Sequence, residues 1–322
     1  MKKIFITGSC GFIGSHLVEK LSQDFKVKAL VYYNSFNDIG NLKFLKSFKN
    51  IEIEKGDIRD YSLLYDLTKD VDCIINLAAL ITIPYSFKAV DSYIDTNIKG
   101  VKNILEISKT RKIKHTIIMS TSEVYGSAQY IPMDEKHPLN AQSPYAATKI
   151  AQDQLAISYH RAFDLPVTIL RPFNVYGPRQ SLRSVIPQII MQSIKSNKIR
   201  IGNLHTERDF TFIDDLTDAF RKIVYNEKTY GKTFNICSGK SFSIKQIIKT
   251  IERISQKNLE VVVENKRIRK SSCEVEKLLG DNSFAKKLIG YEPKTSFEEG
   301  IEKTYIWFFQ NSKDLEKIEY EI

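Results

Sequence analysis

The chain has 322 residues, 42% hydrophobic and 27% charged, long enough for about two globular domains with a sizeable buried core. This balance excludes a wholly disordered or fibrous chain, leaving only the acidic end DLEKIEYEI as a candidate for disorder. Lys plus Arg exceed Asp plus Glu by 48 to 38, a net +10 that suits an anionic ligand. The one compact basic cluster, KRIRK at 266–270, has no interleaved aromatics and no accompanying DNA- or RNA-binding signature, so a phosphate-bearing metabolite is expected rather than nucleic acid.

In chain order, KKIFIT reads as a short buried strand, GSCGFIGSHLVEKLSQ as a glycine-rich turn opening a helix, and FKVKALVYY as a second strand. Strand-like runs follow at IEIEKGD, DCIINLAA, KHTIIMST and PVTILRP, separated by helical patterns near 62–69, 92–111 and 145–163. This alternation predicts a doubly wound parallel sheet whose strands are buried on both faces. After RPFNVYGPRQ come shorter helical patterns (186–196, 215–225, 244–254), isolated strands such as LEVVVE, and more charge. The expected division is a dinucleotide-binding domain over 1–174, to which the chain returns near 210–238, and a smaller α/β substrate domain over 175–322.

CIINLAALITIP, the most apolar run, is shorter than the ~20 residues that span a bilayer, and Thr7, Gly8 and Ser9 interrupt the N-terminal apolar stretch too early for a signal peptide. The cysteines Cys10, Cys73, Cys237 and Cys273 form no CxxC pair, which fits a reducing cytoplasm and neither a zinc site nor a disulfide framework. The five histidines show no ligand spacing, and no metal is expected.

Gly8, Gly11 and Gly14 sit between a strand and a helix, the context in which spaced glycines bind a dinucleotide pyrophosphate through backbone N–H groups. Phe12 and Ile13 lie within the same loop. The second strand should end in an acid for the ribose of NAD or near an Arg for the phosphate of NADP. LVYYNSFN offers neither, and the lack of a local base favours NAD without excluding NADP. Asp57, followed by Ile58, stands either at the adenine or in an ordinary strand-end turn. Leu77, Ala78 and Ala79 end the fourth strand beside the same crevice.

Tyr145 and Lys149 are four residues apart on a helix that begins after Pro144, so they share a face. An ammonium beside a phenol favours the phenolate and draws its pKa down from about 10, which makes Tyr145 a candidate general base. Glu123, in IIMSTSEVYG, follows the fifth strand by a few residues and needs an explanation beyond a solvated loop acid.

TGSCGFIGSHL, the Tyr145/Lys149 pair and Asn97 in DTNIKG resemble the extended short-chain dehydrogenase/reductase family over essentially the whole chain. The resemblance implies a Rossmann-like fold, an NAD cofactor held in part by Lys149 and Tyr145, a helper hydroxyl at Thr121, a proton path organised by Asn97, nucleotide diphospho-sugar substrates and a homodimer formed through the helices containing Asn97 and Tyr145. Ile98, Val101, Ile104, Leu105 and Ile107 supply apolar residues for such a helix.

Within that family, 4,6-dehydratases carry a carboxylate where this chain has Glu123, and 4-epimerases do not. A carboxylate there removes the C5 proton while the C6 hydroxyl leaves. GDP-mannose dehydratases share the Ser122-Glu123 pair, which implies that Glu123 is base and acid with Ser122 assisting; decarboxylases acting on UDP-glucuronate also resemble TSEVYG. YYNSFNDIG, AALITIPYSF, SPYAATK and RIRKSSCEVEKLLGD resemble the 4,6-dehydratases of legionaminic acid biosynthesis, acting on UDP- or GDP-linked N-acetylglucosamine. Arg208 and Arg269, with Arg267 beside it, are the candidate diphosphate ligands, and Asn174 and Arg179 are candidate nucleotide-sugar contacts. The alternatives are an epimerase or decarboxylase on the same scaffold, or a non-catalytic dinucleotide-binding protein.

Overall fold

The computed structural model describes residues 1–264 and 276–315. β1 (Lys3–Thr7), α1 (Phe12–Leu21), β2 (Lys26–Tyr32), β3 (Ile51–Gly56), α2 (Tyr61–Leu67) and β4 (Cys73–Asn76) alternate as the apolar runs predict. Next come α3 (Ile83–Ser86), α4 (Val90–Tyr93), a π-helical turn (Ile94–Lys99), α5 (Gly100–Thr110), β5 (His115–Met119), a 3-10 turn (Ser122–Tyr125), α6 (Pro144–Phe163) and β6 (Val167–Pro172). The rest of the chain forms β7 (Asn174–Tyr176), α7 (Val185–Lys195), β8 (Lys198–Ile201), β9 (Glu207–Phe212), α8 (Ile213–Ile223) and β10 (Lys232–Ile236). It closes with β11 (Ser241–Ser243), α9 (Ile244–Ser255), β12 (Glu260–Val263), β13 (Lys277–Leu278), α10 (Ser283–Ile289) and α11 (Phe297–Leu315).

Seven strands pair in parallel in the order β10-β6-β5-β4-β1-β2-β3. The order reverses between β1 and β4, and the crevice at the carboxyl ends of these strands is where open α/β sheets bind ligands. β10 pairs with β6, Lys232 opposite Thr168 through Ile236 opposite Pro172, and so adds the last strand to this sheet. The predicted strand LEVVVE becomes β12, which pairs with β8 away from this sheet, while β7, β11 and β13 assemble around β9.

One face of the sheet packs Leu17, Val18, Leu216 and Phe220 with Ile4, Ile6 and Ile75. The other face packs Val101, Ile104, Leu105 and Ala156 against Phe5, Ile74 and Ile118. Burial on both faces explains why these strands read as unbroken apolar runs. Helix starts follow local capping chemistry. Ser143 accepts from Ala146 N–H at 3.1 Å ahead of Pro144, and Ser243 with Gln246 forms a reciprocal capping box on α9. The helix expected over 92–111 is interrupted by the π-helical turn that carries Asn97.

Candidate active site

The first half of the site is the glycine loop. Gly8 has φ +68°, and a Cβ there would lie 2.8 Å from the Ala78 nitrogen. A Cβ on Gly14 would lie 2.1 Å from the Gly8 carbonyl oxygen, so only glycine lets α1 start this close to β1. No side chain caps the N-terminus of α1 at Gly11, and Gly11 is exposed. A close backbone approach with free N–H groups at a helix start fits the pyrophosphate of a dinucleotide. Thr7 braces the cradle: its Oγ1 donates to Asn76 Oδ1 at 2.6 Å and accepts from Leu77 and Ala78 N–H at 3.2 and 3.1 Å. Phe12, Ile13 and Ala79 are partly exposed around the crevice.

Asp57 directs its carboxylate to Arg59, accepting from the backbone N–H at 2.8 Å and from Nη2 at 2.6 Å. These bonds hold the carboxyl below its ordinary pKa. Ile58 is buried, with its carbonyl accepting from Asn103 Nδ2 at 3.2 Å, and it packs beneath Gly100. The stretch 30–37 lacks a basic residue, yet the fold brings Arg59 within electrostatic reach of Tyr32 at the end of β2. This base is local in space and not in sequence.

The second half of the site is the start of α6 with the turn after β5. Tyr145 is nearly buried, Thr121 hydrogen-bonds its phenol, and the Glu123 carboxylate stands close enough to act on it electrostatically. Thr121 Oγ1 accepts from Glu123 N–H at 3.2 Å, so one hydroxyl joins the phenol to the backbone that carries Glu123. Ser122 is buried within the same turn. Tyr93 packs its ring edge-on to Tyr145, with centroids 6.3 Å apart.

Lys149 is also buried. Its Nζ donates to the Met119 carbonyl at 2.6 Å and to Gln152 Oε1 at 2.7 Å, and Gln152 Nε2 donates to the same carbonyl at 3.0 Å. Burial pulls the ammonium down to about 8 against a raising contribution from Asp153. The expected lowering of the Tyr145 pKa by Lys149 is corrected by this geometry: the phenol lies above its ordinary value, pushed there first by burial and then by Glu123, Tyr93 and Asp153. Gln152, one helical turn from Lys149, is a site residue that its spacing could have shown and its residue type did not.

Asn97 is fully buried and hydrogen-bonded. It accepts from Leu80 N–H at 2.9 Å and donates to the Leu80 carbonyl and to Thr148 Oγ1, each at 3.0 Å. It therefore ties the end of β4 to the catalytic face of α6, and the π-helical turn supplies the local widening that lets it do so.

Asn174 begins β7 with a buried side-chain oxygen that has no hydrogen-bond partner among the described residues. Arg208 lies on β9, its Nη1 donating to the Glu207 carbonyl at 2.9 Å. The adjacent Asp209 is buried, and its carboxylate collects Ser238 and Gly239 N–H at 2.8 and 2.9 Å, which anchors the loop after β10. Arg179 is not brought to Arg208. Its Nη2 donates to Glu19 Oε2 on α1 at 2.7 Å and to the Phe44 carbonyl at 3.3 Å, and neighbouring Pro178 bonds His16 at 2.9 Å. Arg179 thus joins the segment after β7 to α1 through Nη2, while its Nε and Nη1 are buried with no hydrogen-bond partner among the described residues. Arg267 and Arg269 lie outside the described residues.

A parallel sheet with its switch point at a glycine cradle, and a buried Tyr/Lys helix across the crevice, define a short-chain dehydrogenase/reductase scaffold for nucleotide sugars. The chain belongs to the GDP-mannose 4,6 dehydratase family, whose model matches residues 5–304. It is 31% identical to the dTDP-D-glucose 4,6-dehydratase of Dictyostelium discoideum, over 97% of this chain and 82% of that one. Among solved structures, UDP-glucuronic acid 4-epimerase from Bacillus cereus, in complex with UDP-glucuronic acid and NAD, superposes with TM-score 0.87 at 31% identity, covering 96% of this chain and 99% of that one. The dTDP-glucose 4,6-dehydratase from Bacillus anthracis, in complex with NAD, gives TM-score 0.85 at 26% identity, covering 97% and 98%. The relatives and solved structures include both dehydratases and epimerases.

Proposed function

We propose that the protein is an NAD-dependent nucleotide-sugar 4,6-dehydratase, a hydro-lyase whose substrate is UDP- or GDP-N-acetylglucosamine and whose product is the 4-keto-6-deoxy sugar. The observation that carries this reading is Glu123: its backbone N–H donates to Thr121, which bonds the Tyr145 phenol, and its carboxylate stands near enough to influence that phenol. A 4-epimerase needs no second base at this place, whereas elimination of water does.

NAD, held by the Gly8–Gly14 cradle and Lys149, supplies reversible hydride acceptance when bound. Tyr145 takes the proton of the C4 hydroxyl, with Thr121 bonding the same oxygen. Lys149, its Nζ held by the Met119 carbonyl and Gln152, presents a positive charge on the same helix face as the phenol. Glu123 removes the C5 proton, made acidic by the neighbouring ketone, and with Ser122 passes it to the departing C6 hydroxyl, which leaves as water; the hydride given up at C4 would come back to C6 from the bound cofactor, and the proton that Tyr145 took from the C4 hydroxyl balances the one C5 then gains, so that the net loss is one water. Asn97 holds the end of β4 against α6 so that these groups keep their relative placement. Arg208 and Arg269 take the diphosphate, and Asn174 contacts the nucleotide-sugar.

The test is to incubate the purified protein with UDP- and with GDP-N-acetylglucosamine, without added cofactor, and follow the nucleotide sugars by mass spectrometry. Loss of one water from either supports the reading. Unchanged mass with conversion to a C4 isomer, or loss of carbon dioxide from UDP-glucuronate under the same conditions, replaces it with the epimerase or the decarboxylase. The legionaminic acid assignment is the pathway-level form of this proposal, supported by the segments quoted above.

The reading places the enzyme in the cytoplasm. No helix among the described residues is long and apolar enough to cross a membrane. It also includes a homodimer through α5 and α6, supported by exposed Ile94 and Phe163 near these helices. A monomeric mass by light scattering at micromolar concentration removes the dimer.

A further inference from the structure

Behind the catalytic face, α6 carries a second charged residue one turn beyond Lys149. Asp153 is wholly buried, its Oδ2 accepting from Ser120 Oγ at 2.9 Å and from Arg171 Nε at 3.0 Å. Its Oδ1 is buried with no hydrogen-bond partner among the described residues. Arg171, on β6 and also buried, donates from Nη1 to Tyr125 Oη at 3.0 Å, and Tyr125 Oη donates to Asn235 Oδ1 at 2.7 Å. Tyr125 closes the 3-10 turn that contains Ser122 and Glu123, and Ser120 immediately precedes Thr121. A buried ion pair is costly to form in a sheet that could be filled with apolar residues, so its presence asks for a function besides stability.

We propose that Asp153, clamped by Arg171 and Ser120, is a positioning residue that supplies the countercharge for the Lys149 ammonium and fixes the Glu123 turn against the Tyr145/Lys149 helix. The inference rests on the proposed roles of Tyr145 and Lys149. Two geometric facts carry it. Asp153 and Lys149 stand at i and i+4 on one helix face, both inside the protein, where a carboxylate acts on an ammonium with little solvent screening. The second oxygen of Asp153, left without a donor, leaves part of the carboxylate charge uncompensated by hydrogen bonds.

The titratable and charged groups that the packed elements turn toward this region are Tyr145 and Lys149 from α6, Glu123 and Tyr125 from the turn, Arg171 from β6 and Tyr93 from α4. Of these, Asp153 is the charge that raises the Lys149 pKa against burial, while Arg171 acts on Asp153. Without Asp153, burial alone governs Lys149, and the ammonium is lost at lower pH.

The experiment titrates Lys149 directly in ligand-free protein labelled with carbon-13 at lysine Cε, the signal being assigned with Lys149→Met. Asp153→Asn is expected to lower the Lys149 midpoint by about one unit or more. The alkaline limb of the pH–rate profile of water elimination shifts downward with it. Asp153→Glu, which keeps the carboxylate, restores the midpoint toward wild type. Because Asp153→Asn strands a buried guanidinium, Asp153→Asn/Arg171→Gln removes both charges together and is expected to show the same downward shift in a variant better able to fold. An unchanged Lys149 midpoint in whichever of the two folds overturns the proposal even if activity falls, since a merely structural pair would lower activity without moving the titration. The titration needs no substrate, so it succeeds or fails independently of the dehydratase assignment.

Discussion

Glu123→Gln is expected to slow water elimination about 1,000-fold, close to 4 kcal/mol of barrier, while oxidation at C4 continues. Glutamine preserves the size of the side chain and leaves the Glu123 N–H free to donate to Thr121 Oγ1, so the turn and its contact with the Tyr145 phenol remain. What disappears is the only chemical property that elimination requires and C4 oxidation does not: a group able to accept the C5 proton. The two steps should therefore separate in time. Mixing the variant with substrate should build up the near-ultraviolet absorbance of reduced nicotinamide, and a 4-keto sugar still bearing its C6 hydroxyl should be recovered on quenching. Full dehydratase activity without this accumulation takes Glu123 out of the mechanism and returns the base assignment to another residue.

The parts of the site that could be read from sequence are those whose geometry is local. Gly8, Gly11 and Gly14 lie within seven consecutive residues, and the strand before them and helix after them are identified by their own apolar patterns. Tyr145 and Lys149 are placed on one face by helical periodicity alone, and Ser143 with Pro144 marks where that helix begins. The parallel sheet was legible because its central strands β1, β4, β5 and β6 are buried almost throughout and read as apolar runs.

The remainder depends on contacts between distant residues. Arg171 joins Asp153, 18 positions away, to Tyr125, 46 positions away, and Tyr125 reaches Asn235 across 110. No periodicity reports such a network. Arg179 was a candidate nucleotide-sugar contact, and its ion pair with Glu19 on α1, 160 positions away, is another link that no local pattern reports. Around β9, β7 and β11 have three residues each and β13 two, too short to show alternation. The π-helical turn around Asn97 was hidden for a different reason: the sequence on either side has good helical character, and only the bonds of Asn97 to Leu80 and Thr148 reveal what the irregular turn accomplishes.

Tyr145→Phe is expected to abolish both steps, with a loss of about 1,000-fold or more and no accumulation of reduced nicotinamide, in contrast to Glu123→Gln. The contrast follows from what surrounds the phenol. Burial and the nearby Glu123 charge raise its pKa, while the bond from Thr121 favours the charged form, so deprotonation has to be assisted when substrate is in place. Lys149 cannot take over as the base, because its Nζ is turned to the Met119 carbonyl and to Gln152. Thr121 cannot either, since a hydroxyl at an ordinary pKa is a poor proton acceptor. Phenylalanine keeps the ring that packs edge-on to Tyr93, so the start of α6 should hold its place. The cradle on β1 and α1 is not touched, and dinucleotide binding measured by calorimetry should be close to wild type. Retained turnover in this variant transfers proton removal at C4 to another group, and loss of dinucleotide binding shows instead that the hydroxyl serves the cofactor site. The expected result, binding intact and both steps absent, makes the phenol the entry point of the reaction and Glu123 the residue that turns an oxidised sugar into a dehydrated one.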